Sequence, residues 1–217
     1  MSRRRLLQGA LAAAPLLSMP AALFSNIARA AAALTEQDRA DVARVEKYMD
    51  SVMTLEAKFQ QVDANGKLSF GRIYVRKPGR LRVEYDPPVP ILVVADGGMI
   101  SYYDSELDQL NQLPLQQSTA WFLVRHPIDL EDGVTISGID RRPGALQLKL
   151  FQTSEPNSGS VELIFADNPL ELRQWRVVDA QNKEVRVGLY EVHIGGDLPA
   201  SLFATPRTQR RSGGNKG

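Results

Sequence analysis

RIYVRKPGRLRVEYDPP (residues 72–88) decides the fold class. Ile73 and Val75 lead into a turn at Lys77-Pro78-Gly79, and Leu81, Val83 and Tyr85 then alternate with Arg80, Arg82 and Glu84. A period of two puts every second side chain on one face, so the stretch reads as two antiparallel strands with one apolar and one wet face. The apolar face belongs either to an ordinary core or to a surface kept for an apolar guest.

Upstream, Thr35-x-x-Asp38 has the form of a capping box, with Asp in place of Glu. Val42, Val45, Met49, Val52 and Met53 follow at helical spacing, which predicts a helix over 36–53. The period then changes to two at Leu55, Ala57 and Phe59, with Asn65-Gly66 as a hairpin signal. Gly71 shifts the alternation and predicts a bulge, so that Phe70 joins the apolar face.

Downstream, Asp86 to Pro90 carries three prolines and reads as a connection. Ile91–Ala95 and Met99–Tyr103 are strands around an Asp96-Gly97 turn. Ser118 is the expected cap of a second helix over 119–126, ended by Pro127. Its consecutive Trp121, Phe122, Leu123 and Val124 are too apolar for a surface helix; they are covered or they face a guest. Strands are expected near 134–139, 145–152, 160–166, 171–178 and 184–193, separated by Pro/Gly/Asn turns. The fold class is therefore mainly β with α. The expectation is an unclosed antiparallel barrel, a strongly curved sheet of about ten or eleven strands, with helices over its apolar concave face.

The N-terminus reads as an address. Arg3, Arg4 and Arg5 precede an apolar run, and Ala28-Arg29-Ala30 fits a cleavage pattern, so residues 1–30 are expected to be a removable export signal. The consecutive arginines also suit the twin-arginine type. Removing them leaves 187 residues with 22 basic and 25 acidic side chains, net −3. That balance favours neither nucleic acid nor an anionic membrane surface as partner. Residues 31–206 are expected to form one domain, and the basic, Gly-rich 207–217 a disordered tail. With no cysteine, the chain has no disulfides and no site for lipoprotein-type lipidation.

Catalytic chemistry is sparse. There are two histidines, His126 and His193, no Gly-x-Ser-x-Gly elbow, no metal-ligand cluster and no phosphate loop. The acidic aromatic turn around Tyr102, Tyr103, Asp104, Glu106 and Asp108 reads as a solvated hairpin. No enzyme, metal or cofactor is expected.

LEAKFQQ (55–61), GRIYVRKPGRLRVEYDPP (71–88), LVVADGGMISYYDSELDQL (92–110) and LFATP (202–206), in this order after an amphipathic helix, resemble the periplasmic outer-membrane lipoprotein carrier family (LolA-like). The resemblance implies an unclosed barrel with a helical lid over an apolar cavity. It further implies acylated lipoproteins as cargo, an inner-membrane releasing transporter, an outer-membrane acceptor and a periplasmic location in a Gram-negative bacterium. The chain is expected to act as a monomer. Candidate lining residues are Phe59, Phe70, Leu81, Val83, Tyr85, Trp121 and Phe122, and in the second half Leu148, Leu150, Leu163, Phe165 and Trp175. The family's basic residue before the turn proline holds the lid through backbone carbonyls. Here it is Lys77, with Arg76 beside it; lysine lacks the planar fork of arginine and makes a looser latch. A lipid- or lipoprotein-sensing module of the same fold is the alternative, and a lipid-acting enzyme a further one.

Overall fold

The computed structural model describes residues 34–205. The expected export signal, its cleavage motif and the tail 207–217 lie outside the described residues.

Thr35 caps α1 (Glu36–Ser51) as its sequence predicts: its hydroxyl accepts from the Asp38 N–H, and the Asp38 carboxylate accepts from the Thr35 N–H. The Asp38 carboxylate also accepts from the Thr35 hydroxyl and from Arg141, each at 2.7 Å, and these bonds with that from the Thr35 N–H hold it down at a pKa of about 2. The strands follow as β1 (Thr54–Val62), β2 (Leu68–Arg76), β3 (Arg80–Tyr85), β4 (Ile91–Asp96), β5 (Met99–Asp104) and β6 (Gln109–Pro114). After α2 (Trp121–Val124) come β7 (Val134–Arg142), β8 (Ala145–Gln152), β9 (Gly159–Ala166), β10 (Glu171–Asp179) and β11 (Glu184–Ile194).

All eleven strands form one antiparallel sheet in the order β6-β5-β4-β3-β2-β1-β11-β10-β9-β8-β7. Every consecutive pair is joined directly as neighbours except β6 and β7, which are the two free edges. The barrel is unclosed there, and the connection 115–133 with its short helix α2 spans between the edges.

The sheet's inner face carries two cores. On the β7–β10 half, α1 lays Val42, Val45 and Met49 over Leu146, Leu148 and Leu163, and Tyr48 meets Phe165 edge-on at 5.9 Å. Asp41, buried on α1, accepts from Arg44 and Arg141, each at 2.7 Å, while Arg44 also reaches Asp167. On the other half, Phe59, Ile73, Leu81, Ala95 and Ile100 pack with Leu115 and Val124 of the connection.

Several local expectations are corrected. Gly71 makes no bulge: β1 and β2 stay in register from Thr54↔Arg76 to Val62↔Leu68, with Phe59 opposite Gly71. Unbroken alternation turns Gly71, Ile73 and Val75 inward and leaves Phe70 outward, 43% exposed. The bulges lie at Ser137 in β7, Arg173 in β10 and the 191–192 step of β11, where the pairing shifts register. The β4–β5 loop is Gly97-Gly98, one residue later than expected, because the Asp96 carboxylate accepts from the N–H groups of Gly98 and Met99. The helix at 119–126 is a single turn; Ser118 turns its hydroxyl back to the Leu115 carbonyl instead of capping α2. β6 gave no sequence signal: it is a polar edge strand without apolar alternation.

A C-terminal strap completes the fold. Arg76 donates to the Leu198 carbonyl at 2.7 Å and Arg82 to that of Leu202 at 3.1 Å. The short helical turn Ala200–Phe203 packs on β3 and β4. It lies on the outer face of the sheet, where Val94 and Phe203 are both buried.

Candidate ligand cavity and its lid

Between the two cores the inner face leaves a cavity of about 380 Å³. Its walls are apolar because of strand pairing: Ile73, Val83 and Val93 are cross-strand neighbours on β2, β3 and β4, and all three face it. Leu163, Trp175 and Val177 close the β9–β10 side, and Phe122 and Leu123 of α2 the roof. The Tyr85 hydroxyl is satisfied inside the wall, donating to Gln61 Oε1 at 2.9 Å, while its ring meets Phe59 edge-on at 5.2 Å.

The structure gathers Phe59, Leu81, Val83, Tyr85, Phe122, Leu163 and Trp175 around this cavity. Trp121 instead lines an adjoining groove. Leu148, Leu150 and Phe165 are fully buried under α1 and belong to packed core, and Phe70 sits on the outer face. Ile73, Val93, Ile100 and Tyr102 were missed. Each has inward parity on its strand, but only the pairing of β2 through β5 shows that the parities coincide.

Fastening is concentrated at one end of the barrel. Lys77, 6% exposed, donates from Nζ to the Met49 carbonyl at the end of α1, and its N–H donates to the Met53 carbonyl. Gly79 of the same turn holds α2, its N–H donating to the Val124 carbonyl at 2.8 Å, and Gly98 of the β4–β5 loop accepts from Leu115 N–H at 2.9 Å. Asp50 of α1 accepts from Ile128 N–H at 2.8 Å and faces His126 Nδ1 at 3.1 Å, while Glu46 accepts from Leu130 N–H. The Lys77 side chain thus bonds α1, and the backbone of its turn bonds α2. Arg76 has outward parity and fastens the C-terminal strap, not the lid.

Burial pushes the Lys77 ammonium down to a pKa of about 8, with Asp50 opposing the shift. Between about pH 8 and pH 10.5 the unfolded chain holds a proton that the folded protein has released, so stability rises with pH across that window. Burial raises Tyr48, Tyr85 and Tyr102, which works against stability once unfolded tyrosines ionise near pH 10. Denaturant midpoints from pH 7.5 to 9.5 should therefore increase by the equivalent of about 1–2 kcal/mol. Lys77→Met should flatten that rise by more than half; an unchanged slope would mean that Lys77 is not the group responsible.

The family described as outer membrane lipoprotein carrier protein LolA matches residues 50–206. The outer-membrane lipoprotein carrier protein of Methylococcus capsulatus is 34% identical over 169 residues, covering 74% of this chain and 81% of that protein. That of Coxiella burnetii (strain RSA 331 / Henzerling II) is 31% identical over 175 residues, covering 74% and 80%. A crystal structure of a LolA superfamily protein from Nitrosomonas europaea is similar with a TM-score of 0.46 at 9% identity, over 77% of this chain and 97% of that one.

Proposed function

Because the chain belongs to the outer membrane lipoprotein carrier protein LolA family, we propose that it is a periplasmic carrier. In this reading it takes the acyl chains of lipoproteins into the cavity under α2 and moves them from inner to outer membrane. An inner-membrane transporter loads it and an outer-membrane acceptor unloads it; residues 1–30 direct export and 31–206 are the carrier. The apolar cavity, roofed by the connection between the sheet's two free edges, supports this most directly.

The energetics favour such a shape. Each methylene removed from water is worth about 0.8 kcal/mol. About forty acyl methylenes would then exceed the practical ceiling of non-covalent affinity if all were tightly buried. A cavity of about 380 Å³ lies at the small end of ligand pockets, which run from roughly 300 to 1,000 Å³. It holds part of the chains while the lid is shut. The connection 115–133 takes no part in the strand ladder, so it can move outward without breaking strand pairing. Partial burial keeps the cargo recoverable by a bilayer or acceptor.

The test uses inner-membrane vesicles loaded with an acylated lipoprotein and with its non-acylated form. The carrier should extract the acylated form alone, with the releasing transporter supplied, and then deliver it to outer-membrane vesicles. Extraction without delivery would instead identify a lipoprotein-sensing module, and no extraction would overturn the reading.

A further inference from the structure

The apolar cavity borders a groove of about 370 Å³, and Thr119, Phe122, Val161 and Val177 line both. The groove runs between residues 116–125, the ends of β8 and β10 and the start of β9. It is more polar than the cavity: beside Trp121, Phe122 and Phe151 it is lined by Arg125, Asp132, Glu155 and Asp179 with Gln and Ser side chains.

Arg125 is the anomaly in it. The charged residues buried among the described residues are Asp41, Lys77 and Arg125. Asp41 has two guanidinium partners at 2.7 Å, and Lys77 a close carbonyl. Arg125, 9% exposed, reaches only the Asp132 carbonyl at 3.2 Å and Asp132 Oδ2 at 3.3 Å. Charge-assisted pairs of this kind close to about 2.7–2.9 Å. The Asp132 side chain is itself 76% exposed. A desolvated guanidinium with five donors and two slack contacts is a strong site for a better-placed oxyanion, and a phosphodiester matches its fork.

We propose that this groove is the headgroup site of a zwitterionic phospholipid whose acyl chains enter the cavity, with its phosphate on Arg125 and its ammonium among Asp132, Glu155 and Asp179. The proposal rests on the acyl reading of the cavity and adds a second ligand class to it. The three carboxylates explain the preference for a zwitterion: they disfavour a purely anionic head, while a cationic amine beside the phosphate suits them.

The test titrates delipidated protein with dispersed phosphatidylethanolamine, phosphatidylglycerol and diacylglycerol of the same chain length. Phosphatidylethanolamine should bind at least about tenfold tighter than diacylglycerol, the gain of one charged hydrogen-bonded pair, with phosphatidylglycerol between them. Arg125→Gln should remove the advantage of both phospholipids and leave diacylglycerol binding unchanged. Arg125→Lys, which keeps the charge without the fork, should retain part of it. Equal binding of phosphatidylethanolamine and diacylglycerol by the wild-type protein, a comparison that needs no variant, would overturn the headgroup site. So would unaltered discrimination in a folded Arg125→Gln. An acylated peptide that needs Arg125 where phosphatidylethanolamine shows no advantage would make the groove a polypeptide site and also overturn the proposal. Failure of all three lipids to bind would overturn the acyl cavity itself, an outcome distinct from loss of headgroup preference alone.

Discussion

Gly71→Val is expected to destabilise the protein by about 3 kcal/mol or more, at the upper end of what overpacking costs. In a domain of this size that lowers the melting temperature by on the order of 10 °C. Gly71 sits on the inner face of a central strand, directly opposite Phe59. A Cβ there would lie 2.8 Å from the Phe59 ring and 2.0 Å from the Glu84 carbonyl oxygen on the neighbouring strand. The ring can be pared away, but the carbonyl belongs to the β2–β3 ladder and cannot retreat without breaking it. Gly71→Ala should therefore already cost most of the effect, and pairing it with Phe59→Leu should recover only a minor part. Thermal unfolding of the three variants checks this. A Gly71→Ala protein that melts like the wild type would show that the sheet yields at this point.

Val83→Glu is expected to abolish extraction of acylated lipoprotein, by over a hundredfold, while the empty protein stays folded. Val83 is half-buried and faces the cavity between Ile73 and Val93. In the empty protein a carboxylate there borders space that water can enter. With acyl chains in place, the same carboxylate loses that water and gains no partner. An uncompensated buried charge costs several kcal/mol, and about 3 kcal/mol is already more than a hundredfold in affinity. Leu81 is a poorer probe, because at 3% exposure it is packed core as well as cavity wall. Val83→Leu, which keeps the wall apolar, should extract nearly as well as the wild type. Normal extraction by a folded Val83→Glu would remove this wall from the cargo site.

Local chemistry made much of the protein legible before folding. Thr35 and Asp38 sit three residues apart, which is all a capping box needs. The alternation of Leu81, Val83 and Tyr85 fixes a strand and its two faces with no knowledge of a partner. Pro143-Gly144 and Asn168-Pro169 punctuate the later strands in the same way. The readings that failed depended on partners. Gly71 resembled a bulge because a glycine weakens any alternation, and nothing nearby in the chain says that Phe59 fills its place. Phe70 was misassigned with it, since one supposed bulge reverses the parity of every residue before it. Ser118 had a cap-forming side chain, but the carbonyl of Leu115 claimed it. β6 stayed hidden because an edge strand exposed to solvent needs no apolar face.

The candidate site divides the same way. Sequence alone determined that an apolar inner face exists, that Lys77 stands at a turn, and that Trp121 to Val124 are too apolar to lie in water. Each follows from spacing within one segment. Only the tertiary structure decided that Leu148, Leu150 and Phe165 are sealed under α1 while Val83 and Trp175 border empty space, because burial by α1 or by nothing is a property of what lies across the sheet. It likewise decided that Lys77 reaches α1, that Arg76 reaches the C-terminal strap, and that Arg125 is buried beside the cavity mouth. The pairing of β1 with β2 brings Lys77 to the end of α1, and the pairing of β1 with β11 brings Leu198 to Arg76 across 122 residues of chain, so both contacts are set by strand pairing and not by local spacing.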